Sequence, residues 1–182
     1  MAKNKGKVFE EQFKKSVNKL EGVLFERFPD SNKFGQGGNS QTRFTLQSPC
    51  DCFIFDGCRL YYMELKHTDN TSISFNQPPY EKIKNKTLMI KPHQVKSLME
   101  RSEYDKVNCG LVLDFADRQN SKGDIIQGGT YYIDINTFVG WASAVPKKSI
   151  NQQDAEMIGI KINRELLVKN YTYDIERLLN SI

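Results

Sequence analysis

Asp51, Glu64 and Lys66 are the residues of this chain whose types and spacing could do chemistry together. They lie in SPCDCFIFDGCRLYYMELKHT, residues 48 to 68, where polar and apolar residues alternate, break at Asp56-Gly57, and alternate again. That pattern predicts a β-hairpin over residues 50 to 67. Side chains alternate along a strand, so Asp51 shares a face with Phe53 and Phe55, while Cys50, Cys52 and Ile54 take the other. On the returning strand Tyr62, Glu64 and Lys66 line one face. If the two faces coincide across the hairpin, two carboxylates and an ammonium meet on one patch of sheet. Adjacent carboxylates repel and are costly to desolvate, and a divalent cation that prefers hard oxygen ligands makes the arrangement favourable. Lys66 then holds its ammonium within reach of a developing phosphate charge. Asp, a spacer and Glu-x-Lys form a common pattern by themselves, and the alternative reading is an exposed ion pair on a half-solvated sheet.

The elements that must position these groups are legible around the hairpin. Phe9, Phe13, Val17, Leu20, Leu24 and Phe28 recur at spacings of three and four, which predicts a first helix over residues 7 to 28 of about six turns. Glu10 falls at the edge of its apolar stripe and can approach the sheet, whereas Glu11 points nearly opposite, into solvent. A helix-start acid favoured by the macrodipole is the other reading of Glu10. Residues 28 to 41 read as a loop and residues 43 to 46 as a short strand. Residues 69 to 91 form a long polar stretch with a Pro-Pro break, of a length that usually serves function or moves. Pro92 opens a helix through Ser102 with Val95, Leu98 and Met99 on one side. Gln94, near its start, can offer a neutral oxygen to a metal or a contact to phosphate, or is simply polar. A buried strand at 108 to 115, a polar loop to 128, a strand at 130 to 135, a short helix or turn at 135 to 144 and a C-terminal helix from 173 complete the reading. The order α-β-β-β-α-β predicts an α/β domain with a mixed central sheet flanked by helices. Strand 60 to 67 should run parallel to strand 107 to 114 through a right-handed crossover.

Composition bounds the rest. With 182 residues, 38% hydrophobic and 26% charged, the chain reads as one soluble globular domain able to bury a core without disulfides. Its apolar runs are too short to span a bilayer, and its basic start, MAKNKGK, is not followed by the apolar stretch of a secretory signal. The expected location is the cytoplasm. Cys50, Cys52, Cys58 and Cys109 read as small reduced hydrophobes rather than a zinc site, since only His67 and His93 remain as further soft ligands. Net charge is +4, and Lys3, Lys5 and Lys7 supply three of it, with residues 1 to 6 expected to be a flexible basic arm. A second basic stretch carries Lys82, Lys84, Lys86, Lys91, Lys96, Arg101 and Lys106, interrupted by Glu81, Glu100, Glu103 and Asp105. These lysines suit a DNA backbone, and their alternative is a solvated tail and helix face.

The hairpin resembles the PD-(D/E)xK nuclease motif, as Pro49-Cys50-Asp51 followed by Glu64-Leu65-Lys66, with one extra residue inside the Pro-Asp pair. More narrowly, the chain resembles the RecU-type Holliday junction resolvases. Gly6-Lys-Val-Phe-Glu10 is similar to their opening Gly-x-x-x-Glu helix, and the Asp51 to Glu64 spacing and His93-Gln94 also match. Thr71-Ser72 and Ser74-Phe75, Gly110 to Phe115, Tyr131 to Phe138 and Lys147-Lys-Ser-Ile150 look like its later segments in order. The resemblance implies a restriction-endonuclease-like core and a dimeric, Mg²⁺-dependent endonuclease, with Mn²⁺ as a substitute, that cuts four-way DNA junctions symmetrically in recombination and repair. It implies Asp51, Glu64, Gln94 and a main-chain carbonyl near Leu65 as metal ligands, Lys66 as transition-state stabiliser and Glu10 as support. Two departures stand out. Pro49 replaces the family's Thr, leaving water, Ser48 or a backbone carbonyl at that position, and the family's junction-entering stalk is shortened to residues 29 to 47. A phage-encoded member with a short stalk is the form this suggests. The alternatives are another nuclease of the same core acting on duplex DNA, as a nickase or restriction-like enzyme, or a DNA-binding module without catalysis.

Overall fold

In the computed structural model, which describes residues 4–29, 48–82, 87–119 and 121–182, the side chain of Asn4 accepts from the amides of Gly6 and Lys7. This N-cap starts α1 (Lys5–Val17), so Lys5 and Gly6 of the expected basic arm are helical. The helix ends eleven residues earlier than the sequence pattern predicts. The chain turns through Gly22, whose φ of 74° a glycine tolerates best, into the strand β1 (Leu24–Arg27). A spacing of four, as in Leu20, Leu24 and Phe28, fits the period of a strand as well as that of a helix, and here the strand wins.

β1 pairs antiparallel with β2 (Cys52–Phe55), which turns back at Asp56-Gly57 into β3 (Leu60–Thr68). The Asp56 carboxylate accepts from the amides of Cys58 and Arg59 at 2.8 and 2.7 Å, and Gly57 takes a φ of 94°. After β4 (Ser72–Ser74) comes α2 (Pro92–Ser102), then β5 (Val107–Phe115), which runs parallel to β3 in the register Leu60 to Val107 through Thr68 to Phe115. The remaining elements are β6 (Arg118–Gln119), β7 (Ile125–Ile126), β8 (Gly129–Asp134), α3 (Ile135–Ala144), β9 (Ser149–Asn151), α4 (Gln152–Ile158), β10 (Ile160–Ile162), β11 (Arg164–Leu166), β12 (Tyr171–Tyr173) and α5 (Ile175–Ser181).

The central sheet has the order β1-β2-β3-β5-β8-β10 and is antiparallel except between β3 and β5. Helices cover both faces. On one, α2, α3 and α4 bury Val95, Leu98, Phe138, Ala142 and Ala155 against Cys109, Leu111, Leu113 and Phe115 of β5. On the other, α1 and α5 bury Phe9, Phe13, Val17, Ile175 and Leu178 against Ile54, Tyr61, Met63 and Val112. β5 is therefore apolar on both sides, as a central strand sandwiched by helices must be. This is the mixed α/β architecture that the sequence predicts.

The stretch after β3 is more ordered than its polarity suggests. β4 pairs with β9, and Ile73, Phe75, Leu88 and Ile90 are buried. Likewise the polar loop at 115 to 128 carries the β6–β7 pair. Tyr131 and Tyr132 are core residues, and Trp141 packs against Phe75 and Phe138. No helix among the described residues is long and apolar enough to cross a membrane. The strand expected at 43 to 46 and the lysines Lys3, Lys84 and Lys86 lie outside the described residues.

Candidate active site

Asp51 immediately precedes β2, whose first residue Cys52 pairs with Met63, and its carboxylate reaches β3 beside Glu64. The chain bends at residues 50 and 51 before β2 begins. This bend corrects one expectation: Cys50 packs into the α2 side of the core and Cys52 into the α1 side, so the two thiols do not face the same way. Strand alternation does not extend through a bend. The same bend swings Asp51 across the hairpin, where its Oδ2 accepts from the Leu65 amide at 2.8 Å and lies 3.7 Å from Lys66 Nζ.

Glu64 is fully buried, and its Oε1 accepts from both Lys66 Nζ and Gln94 Nε2. Its Oε2 is buried with no hydrogen-bond partner. Burial pushes the Glu64 carboxyl up to about 8; Lys66 opposes the rise, and the nearby Asp51 carboxylate adds to it. Burial also works against the Lys66 ammonium, but the carboxylates of Glu64 and Asp51 outweigh it and hold the lysine above its ordinary value.

Other groups close the site. α1 brings Glu10 to the same place, and its Oε2 pairs with Arg27 of β1 at 2.6 Å. Glu10, Arg27, Asp51 and Leu65 line one narrow cleft of about 10 Å³. Glu11 is exposed, as its position on the helix predicts. In an extended strand the N–H and C=O of a residue point to the same edge, so the Leu65 carbonyl faces the edge from which Asp51 reaches its amide. α2 contributes Gln94, whose Oε1 accepts from the Lys91 amide at 2.9 Å while its nitrogen faces Glu64. The sequence reading made Gln94 an oxygen ligand; in this structure its oxygen caps the helix and its nitrogen steadies Glu64. His93 is kept below the ordinary histidine value by partial burial and by the cations of Lys91, Lys66 and Lys82, so Lys82 and Lys91 stand near the site. Lys96 lies further along α2, facing Glu100 at 4.0 Å. Lys5 pairs with Asp69 at 2.9 Å, and Lys7 is exposed. Ser48 donates to the Pro29 carbonyl at 2.6 Å, while its oxygen retains lone pairs.

The arrangement fits a divalent cation. Among the described residues no group of three or more His, Cys, Asp or Glu side chains is disposed to hold a metal. The donors here are instead two carboxylates with neutral oxygens beside them, a set that suits Mg²⁺, which keeps several of its waters. The buried, unpartnered Oε2 of Glu64 is the atom that most needs such a counter-ion.

Sequence reasoning missed Arg27, because it placed that residue inside the first helix. The signal that would have found it is Gly22, which ends a helix more naturally than it continues one. No protein-family model matches the chain. Across its whole length it is 30% identical, over 194 residues, to the "SPbeta prophage-derived uncharacterized protein YotM" of Bacillus subtilis (strain 168), covering 88% of that protein, and it belongs to the same family.

Proposed function

We propose that this protein is a Mg²⁺-dependent endonuclease with a restriction-endonuclease-like core, which resolves four-way DNA junctions as a homodimer during recombination and repair. The observation that carries this reading is the buried Glu64 carboxyl group, whose Oε2 has no hydrogen-bond partner among the described residues, beside Asp51 and touched by Lys66. The motif order in the sequence supports it, and so does the mixed sheet, with Asp51 just before β2 and Glu64 within β3. A prophage-derived relative is in keeping with an enzyme of phage DNA metabolism.

Asp51, Glu64 and the Leu65 carbonyl would hold the ion. Bound there, Mg²⁺ supplies positive charge to the scissile phosphate and acidifies the attacking water. Lys66, anchored on both carboxylates, keeps its proton and faces the negative charge that develops on the phosphate. Gln94 fixes the Glu64 side chain through Oε1, and Oε2, without a hydrogen-bond partner among the described residues, would be the oxygen that holds the ion. Glu10, restrained by Arg27, walls the cleft on the α1 side. Lys82 and Lys91 provide backbone contacts that carry no base information. A two-fold junction calls for two such sites related by a two-fold axis.

The test is purified protein with Mg²⁺ and labelled substrates. Paired nicks on a four-way junction, with linear duplex spared, support the resolvase. Cutting of plain duplex transfers the same site to a restriction-like or nicking enzyme, which the short span of residues 29 to 47 would favour. Asp51→Asn should abolish cleavage while leaving DNA binding intact, and normal cutting by that variant refutes the assignment.

A further inference from the structure

Parallel strands β3 and β5 end together, at Thr68 and Phe115, on the edge of the sheet that carries Lys66. Beyond those ends lies a second cleft, of about 850 Å³ including its open mouth. Thr71, just past β3, and Arg118, just past β5, line it together with Asn151, Gln152 and Gln153. Its chemistry is unlike that of the acidic site. Arg118 Nη1 is buried with no hydrogen-bond partner, and Arg118 makes no ion pair among the described residues. Arg164, by contrast, is engaged by Asp114 and Asp117 at 2.8 Å each. A buried guanidinium nitrogen without an acceptor costs free energy, and an anion or water in the cleft would relieve that cost. A second orphan lies beside it: Gln152 donates through Nε2 to the Gln127 carbonyl at 3.2 Å, while its Oε1 is buried and unpaired. Asn151 is already committed, as its Oδ1 accepts from the Asp154 amide. The one acid in the lining, Glu156, is exposed, where water screens its charge.

We infer that this cleft is an anion site in which Arg118 holds a DNA backbone phosphate distinct from the one that is cut, with a water on Gln152 Oε1 completing the contact. The inference rests on the reading of the chain as a DNA-cutting enzyme. Geometry makes the two sites compatible. Five residues separate Lys66 from Thr71, so the cleft opens within roughly 17 Å of the lysine. Each strand of a duplex presents a phosphate about every 3.4 Å along its axis, so a single DNA arm spans both. The cleft therefore sets the direction in which the arm leaves the cutting site.

The experiment measures binding of labelled duplex and four-way junction in EDTA, from about 50 to about 200 mM salt, for the wild type, Arg118→Ala and Arg118→Lys. Arg118→Ala should bind several-fold more weakly, with the slope of log affinity against log salt shallower by about 0.9, the loss of one phosphate contact. Arg118→Lys should keep the slope. Since the Arg118 side chain makes no ion pair or hydrogen bond among the described residues, the alanine variant should melt no lower than the wild type. Unchanged affinity and slope in Arg118→Ala would overturn the inference while leaving the nuclease reading intact. A wild type that binds no DNA at all would remove that reading, and the phosphate anchor with it. A titration with inorganic phosphate alone separates the remaining source: saturation of Arg118 by free phosphate, with DNA binding untouched by the substitution, assigns the cleft to a small anion and refutes the DNA contact.

Discussion

Glu64 should give up a proton when a divalent ion enters the site. Its carboxyl is pushed up to about 8 from an ordinary value of 4.5, chiefly by burial. At pH 7 roughly nine molecules in ten therefore carry the proton, and at pH 9 only about one in ten. A cation bound between Asp51 and Glu64 needs the ionised form, so titrating Mn²⁺ into the protein should release about 0.9 proton per site at pH 7 and about 0.1 at pH 9. Calorimetric titrations in two buffers of different ionisation enthalpy read this number directly. The same proton stabilises the metal-free fold. Because the folded-state value lies above the unfolded one, this contribution is complete below about pH 4.5 and disappears as the pH rises through about 8, with a ceiling of about 5 kcal/mol. Glu64→Gln has no proton to lose, so its metal-free melting temperature should lack this decline, and any residual ion binding should release none. Equal proton release by the wild type and Glu64→Gln, or release that does not change between pH 7 and pH 9, would refute the reasoning.

Two further substitutions probe other levels of the account. Lys66→Met removes the ammonium that contacts both carboxylates, so cleavage should be lost while Mn²⁺ binding persists, and the Glu64 carboxyl should titrate higher still; retained cleavage would contradict the role given to Lys66. Gly110→Ala would set a Cβ against the Tyr132 ring and 2.6 Å from the Ile133 carbonyl in the middle of the sheet, and should cost about 3 kcal/mol in a denaturant titration; a loss below about 1 kcal/mol would show that β5 and β8 can move apart at that point.

The parts of the fold that the sequence makes legible are those where one local signal is unopposed. The Asp56-Gly57 turn with alternation on both sides specifies the hairpin, and with it the meeting of Asp51 and Glu64. Pro92 ahead of an apolar stripe specifies α2, and the unbroken run Gly110 to Phe115 specifies a central strand. The misreadings have physical causes. Leu20, Leu24 and Phe28 satisfy two periods at once, which concealed β1 and with it the Arg27 partner of Glu10. Cys50 was placed by alternation across a bend that only the packed chain reveals. Ile73, Phe75 and Ile90 were outweighed by the polar residues around them, although they pin the segment to the core. The orientation of Gln94 is set locally, as the third helical residue whose oxygen accepts from the Lys91 amide, a capping signal that competes with a ligand role for the same oxygen. Arg118 carried no signal in the sequence, because its interest lies in what it lacks.

The most direct test of the central claim is a crystal structure of the protein soaked with Mn²⁺, with anomalous scattering recorded at the metal edge. The account predicts a peak in contact with Glu64 Oε2 and Asp51, beside the Leu65 carbonyl. An absence of any peak there at saturating Mn²⁺, with the side chains of Asp51, Glu64 and Lys66 ordered as described, would contradict it.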